Sequence, residues 1–215
     1  MPHIIALLAK AGHGKTTIAK HLEETYGTRT VSLAGPLKRT AQAVMGFSDA
    51  QLYGTQAEKE AVDPRYGFSA RTFLQRLGTD GLRTFFGPDV HVNALLRQIA
   101  LEGLASPERP TYVIDDVRFP NEVAAVVDNE GMVHGKAIGT CIKIECTDAP
   151  VMSAGATHAS ETEIDRVPEG LVSAIITSSR AQGVGHLIET FEWALDNNPR
   201  LSMLRKALHE QRMAA

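Results

Sequence analysis

No stretch of the chain is apolar for long enough to cross a bilayer, and no basic segment precedes a hydrophobic run at its start. Neither a membrane span nor an export leader is expected, and the cytoplasm is the expected compartment. Charge of one sign is also scarce. Lys and Arg number 22 against 25 Asp and Glu, a net charge of −3 at pH 7, so the broad basic surface that neutralises nucleic-acid phosphates is missing. A small substrate fits this balance better than a polymer. Cysteine is nearly absent: Cys141 and Cys146 share an apolar run that reads as a strand, at an odd separation that points them to opposite faces. That disfavours a disulfide or a shared metal, and two reduced, mostly buried thiols are expected. Internal repeats and low-complexity tracts are missing too.

What remains is ordinary globular material, 215 residues with 43% apolar and 22% charged side chains, enough for one domain spanning 1–215. Its apolar runs alternate between two kinds. His3 to Leu8, "TVSLAG", "TYVIDDV", "AIGTCIKIEC" and "LVSAIIT" read as strands, the first apolar without alternation, as in a strand covered on both faces. Between them lie helical stretches, among them Thr16 to Tyr26, "PLKRTAQAVMG", a run after the capping residue Ser69, His91 to Leu104 and Val184 to Leu195. Strands alternating with helices predict a three-layer α/β fold around a parallel sheet. Two segments lose periodicity: 47–69 is expected to be a flap-like insertion with little core of its own, and 147–170 a lid-like segment. A C-terminal helix is expected within 199–215.

Between the first strand and the first helix lies Ala9-Lys10-Ala11-Gly12-His13-Gly14-Lys15-Thr16, the phosphate-loop pattern with alanine in place of its first glycine. Gly12 and Gly14 allow the turn to close with its amides pointing inward, where they and the helix N-terminus bind phosphate oxygens. Ala11, Gly12, His13, Gly14, Lys15, Thr16 and Thr17 are therefore the expected ATP-binding residues. Lys15 is expected to reach the β- and γ-phosphates, the Thr16 hydroxyl to bind Mg²⁺, and Thr17 to touch the α-phosphate. His13 sits at a variable position where the backbone does the binding. Such a loop identifies the phosphoryl donor and leaves the acceptor open. A guanine-reading Asn-Lys-x-Asp segment is missing, which argues against a GTPase.

Four further stretches, "SLAGPLK", "FLQRLGTDGLRTFFGPDVHVNAL", "YVIDDVRFPNE" and "THASETEID", follow the loop in order. Together they resemble the phage-type deoxynucleoside monophosphate kinases, a branch of the P-loop nucleotide kinases. The resemblance implies a P-loop kinase fold with inserted flap and lid segments, and an enzyme that moves the γ-phosphoryl of ATP, with Mg²⁺, onto a deoxynucleoside 5′-monophosphate. It also implies a phage-encoded enzyme working in a host cytoplasm on small nucleotides, away from membranes and nucleic acid; a homodimer stays open. On the matching residues it implies catalytic roles for Lys15, Asp116 and Arg118, with Asp116 joining Thr16 at the metal. Lys38, Arg76, Asp80, Arg118, His158 and Glu161 would hold the acceptor.

Elementary chemistry agrees in one respect. A monophosphate whose second pKa is near 6 is about 90% dianionic at pH 7, so the attacking oxygen needs no strong base. Cations that hold two repelling phosphates in line are what such an enzyme has to supply. Asp115, by strand alternation, is expected on the side opposite Asp116. Three positions depart from the family pattern: Ala9 for glycine, Thr16 where relatives can carry Asp, and His91 where Trp is usual. Base preference is therefore unspecified. Two other readings stand beside this one: a P-loop kinase for a hydroxyl acceptor, with Asp115 or Asp116 as general base, and a nucleotide-dependent binding module without transfer chemistry.

Overall fold

The computed structural model describes residues 2–105, 110–128, 137–149 and 162–214. The chain divides into two compact units, Met1–Ser32 with Val92–Ala215, and Leu33–His91.

The first unit is built on five parallel strands: β1 His3–Leu8, β2 Arg29–Val31, β5 Tyr112–Val117, β6 Ile138–Cys146 and β7 Ala174–Ser178, in the order β2-β5-β1-β6-β7. Ile4 to Leu8 of β1 are wholly buried, which is why that run shows no alternation. One face of the sheet carries Ile5, Leu7, Ile142, Ile144 and Ile176. They pack with Ile18 and Leu22 of α1 (Lys15–Tyr26), Phe191 and Leu195 of the helix Gly183–Asn197, and Leu204 and Leu208 of the helix Ser202–Ala214. Each such side chain contributes about 1.5–3 kcal/mol by leaving water. The helix Pro120–Asp128 covers the other face, packing against β6 and β1. There the backbones nearly touch: a Cβ at Gly139 would lie 1.8 Å from the Val126 carbonyl oxygen, so only glycine fits. This is the expected α/β architecture, a central parallel sheet between helices.

The second unit holds α2 (Gly35–Met45), α3 (Asp49–Tyr53), α4 (Gln56–Glu60), the hairpin β3 (Val62–Asp63) with β4 (Phe68–Ser69), and a long helix from Ala70. Ser69 caps that helix through its Oγ, 3.2 Å from the Thr72 amide, as its sequence position suggests. Beyond Gln75 the helix widens into π-turns over Arg76–Arg83, the stretch carrying Gly78 and Gly81. The expectation of little core in 47–69 is corrected here. Phe47 and Leu52 are almost fully buried with Ala41 and Ala70, and Met45, Phe68, Phe73 and Leu74 pack around them. Ser48 and Thr55 each form a capping box, with Gln51 and Glu58, so both short helices start from local polar signals with no long apolar period.

The helix Val90–Ala105 precedes β5 in the chain. Of the region 147–170, the part from 162 forms short 3₁₀ turns at Glu163–Arg166 and Glu169–Leu171, with Ile164 buried. No helix among the described residues is long and apolar enough to cross a membrane.

Candidate functional site

The central strand β1 ends at Leu8 and α1 begins at Lys15, so the phosphate loop projects from the carboxyl edge of the sheet, where open α/β folds bind ligands. Gly12 and Gly14 take positive φ, 79° and 98°, which L-residues with a Cβ rarely adopt. Gly14 is the N-cap of α1 and has no side chain to cap it; the first turn also contains no carboxylate. The first turn thus brings no anion of its own to the positive end of the helix, which suits an incoming phosphate. Lys15 and Thr17 are half-buried in that first turn and Thr16 is exposed. Ala9, in place of the first loop glycine, is buried at 1% exposure and packs into the core below the loop.

β5 lies beside β1 and carries Asp115 and Asp116 at its end. Pairing runs Ala6 to Ile114 but Leu8 to Val117, so two residues of β5 stand opposite Leu7 alone. This bulge interrupts the alternation, and the argument that set Asp115 opposite Asp116 does not apply at this step. Asp116 Oδ2 accepts a hydrogen bond from Ser32 Oγ at 2.7 Å. The next turn is held by Glu122, 2% exposed, whose Oε2 accepts the amide N–H groups of Arg118 at 2.8 Å and Phe119 at 3.0 Å. A carboxylate at the third helical position thus bonds back to the start of its own helix and fixes the backbone from which Arg118 projects.

On the other side of the loop, the Cys146 amide at the end of β6 donates to His13 Nδ1 at 3.0 Å. Lys10 Nζ meets Asp165 Oδ2 at 2.7 Å, and Arg180 Nη2 donates to the Gly12 carbonyl at 3.2 Å. Arg180 is itself placed by Asp148, which accepts the amides of Arg180 at 2.6 Å and Ala181 at 3.1 Å. Those two backbone bonds and the Cys146 thiol hold the Asp148 carboxyl below its usual range. A cavity of about 210 Å³ opens beside the loop, bordered by Ala9, Lys10, His13, Lys143, Glu145 and Asp165. Of the two thiols, burial pushes Cys141 up to about 12, an inert group; Cys146 is half-buried.

The structure therefore brings Lys15, Thr16, Asp116 and Arg118 to one edge of one sheet. Lys38, Arg76, Asp80 and His91 lie in the second unit. There Lys38 Nζ sits 4.6 Å from the centre of the Tyr53 ring, and His91 Nε2 lies 3.1 Å from the Gly78 carbonyl. Arg76 and Asp80 are exposed on the π-turns, whereas Arg71 turns to Gln56, 3.1 Å away. His158 and Glu161 fall outside the described residues. Sequence reasoning missed Ser32, Arg180, Asp148 and the partner of His13. Ser32 stood within "SLAGPLK" as a hydroxyl at a strand end, a weak signal; Arg180 had none.

No family model matches the chain. Two solved structures overlay it loosely. One is a sugar kinase from Janibacter sp. HTCC2649, at 12% identity and a TM-score of 0.42 over 94% of this chain and 98% of the other. The second is TT1252 from Thermus thermophilus, at 18% identity and a TM-score of 0.42 over 91% and 97%. Overlaps this loose carry no argument. A protein of Acanthamoeba polyphaga mimivirus named "Putative deoxynucleotide monophosphate kinase" is 34% identical over 168 residues, 75% of this chain and 81% of the relative. By that likeness, over a parallel sheet with a phosphate loop at its edge, the chain belongs to the deoxynucleotide monophosphate kinase family.

Proposed function

We propose that the protein transfers the γ-phosphoryl group of ATP to a deoxynucleoside 5′-monophosphate, giving ADP and the diphosphate. The observation that carries this reading is the uncapped, acid-free N-terminus of α1 behind the left-handed glycines Gly12 and Gly14, set one strand from Asp116. Amides of the loop take the non-bridging oxygens of the triphosphate, and Lys15 offsets charge on the β- and γ-phosphates. The monophosphate arrives already ionised, so the work left to the protein is positioning. Arg118 meets the acceptor phosphate, and by the family resemblance Lys38, Arg76, Asp80, His158 and Glu161 are the further residues proposed to recognise the acceptor.

The Thr16 hydroxyl and the Asp116 carboxylate are both oxygen donors, a set that fits a hard cation held mainly by phosphates and water. Mg²⁺ held by these residues would supply positive charge that offsets the charge of the phosphates. Ser32 orients Asp116 through the 2.7 Å bond to Oδ2. The same proposal places the enzyme in the cytoplasm of a phage-infected host cell.

A coupled assay that follows ADP release with each common deoxynucleoside monophosphate tests the reading. Release that depends on one or a few monophosphates supports it; release at one slow rate with all of them removes it.

A further inference from the structure

We propose that His13 is a positioning residue of the phosphate loop, holding it to the end of β6 through the bond from the Cys146 amide to Nδ1. This rests on the reading of the loop as the triphosphate site. A backbone N–H only donates, so Nδ1 must be the bare nitrogen of a neutral ring, and the ring proton resides on Nε2. The tautomer is therefore set by the main chain of a neighbouring strand. The bond spans 133 residues of sequence and joins the middle of the loop, between Gly12 and Gly14, to the sheet that carries it.

Two glycines in left-handed conformation give a loop little stiffness of its own, and it must hold several amides converged on one anion. Two other ties to the loop involve exposed side chains. Lys10 and Asp165 are 43% and 56% exposed, so solvent screens that ion pair, and Arg180 reaches Gly12 from an exposed side chain. His13 is half-buried, and its partner is fixed backbone. Protonation would set an Nδ1–H against the Cys146 N–H, donor against donor, and the tie would open. Lys10 and Lys143, which border the same cavity as the ring, oppose that proton, while Glu145 and Asp165 favour it.

The test is a set of full-length variants assayed for transfer and, separately, for binding of ATP alone by calorimetry. His13→Ala is expected to raise the KM and Kd for ATP about five- to tenfold, the worth of one hydrogen bond, with the KM for the monophosphate unchanged. His13→Asn, whose Oδ1 stands where Nδ1 stood, is expected to recover ATP binding to within about twofold. His13→Gln, with its oxygen one bond further out, is expected not to. The ratio of wild-type to His13→Asn KM for ATP is expected to rise as pH falls and the imidazole takes up a proton, a ratio from which titration of ATP itself cancels. Variants that all bind ATP like the wild type, or an Asn variant no better than Ala, overturn the proposal. Lys15→Ala serves as the control. If it too binds ATP normally, the phosphate-loop reading fails; if it alone loses binding, only the role of His13 fails.

Discussion

Ser32 and Asp116 are 84 residues apart in sequence, yet the serine hydroxyl donates to the aspartate Oδ2 at 2.7 Å, because β2 and β5 are parallel neighbours ending at the same edge of the sheet. If Asp116 serves a metal bound to ATP, the serine fixes which oxygen it offers. Ser32→Ala is expected to lower kcat about tenfold with little change in KM for ATP, a loss of the size of one charge-assisted hydrogen bond. Asp116→Asn is expected to cost at least about a hundredfold. Steady-state kinetics across a Mg²⁺ titration checks both, with excess metal recovering part of the serine variant's rate and little of the asparagine variant's.

Glu122 holds the Arg118 and Phe119 amides from a position 2% exposed to solvent. Glu122→Ala leaves two partly buried donors without it and is expected to destabilise the protein by about 1–3 kcal/mol. Glu122→Gln retains an acceptor oxygen and is expected to cost less than half of that. Urea denaturation measures the difference, and kcat for the two variants should fall in the same order because the backbone that carries Arg118 is loosened.

Gly139 faces the Val126 carbonyl so closely that a methyl group has no room, and the obstacle is backbone that no side-chain rotation relieves. Gly139→Ala is expected to cost about 3 kcal/mol and to lower Tm by roughly 6–12 °C. A thermal melt followed by circular dichroism reads this directly.

Arg65 is forked across Asp63, Nε to Oδ1 at 2.9 Å and Nη2 to Oδ2 at 2.7 Å, and Gln51 adds a bond of 2.9 Å to Oδ2. Arg65 first, then Gln51, holds the Asp63 carboxyl well below the usual carboxylate range. A carboxyl lowered in the folded state stabilises fully above its unfolded value, near pH 4, and that contribution fades as pH falls toward the folded value. The stability gap between wild type and Asp63→Asn is therefore expected to be constant from pH 5 to 8 and to shrink below about pH 4. Urea midpoints at pH 7 and pH 3 give the comparison.

The strands and most helices were legible because their signals are local. His3 to Leu8 is uniformly apolar since both faces are covered, and Gly27 and Gly46 stop α1 and α2 in left-handed caps. The turn between β1 and α1 that carries Gly12, Gly14 and Lys15 was legible for the same reason, its residues being contiguous. The 47–69 segment was not. Its core residues, Phe47 and Leu52, are anchored by helices too short to show a period, and its hairpin strands have two residues each. The bulge that sets Asp115 and Asp116 together opposite Leu7 was not legible, because it is a property of the pairing with β1, which one strand's sequence does not contain. Ser32, Arg180 and the bond between His13 and Cys146 escaped for a related reason: each contact joins segments brought together only by the order of strands in the sheet.

The most direct test of the central claim is radiolabel transfer from γ-labelled ATP to a panel of deoxynucleoside monophosphates by wild-type and Lys15→Ala protein. The account expects label in a deoxynucleoside diphosphate for the wild type and a rate at least about a thousandfold lower for the variant. Label appearing only as inorganic phosphate whatever monophosphate is supplied, or transfer that survives the loss of Lys15 unchanged, would contradict it.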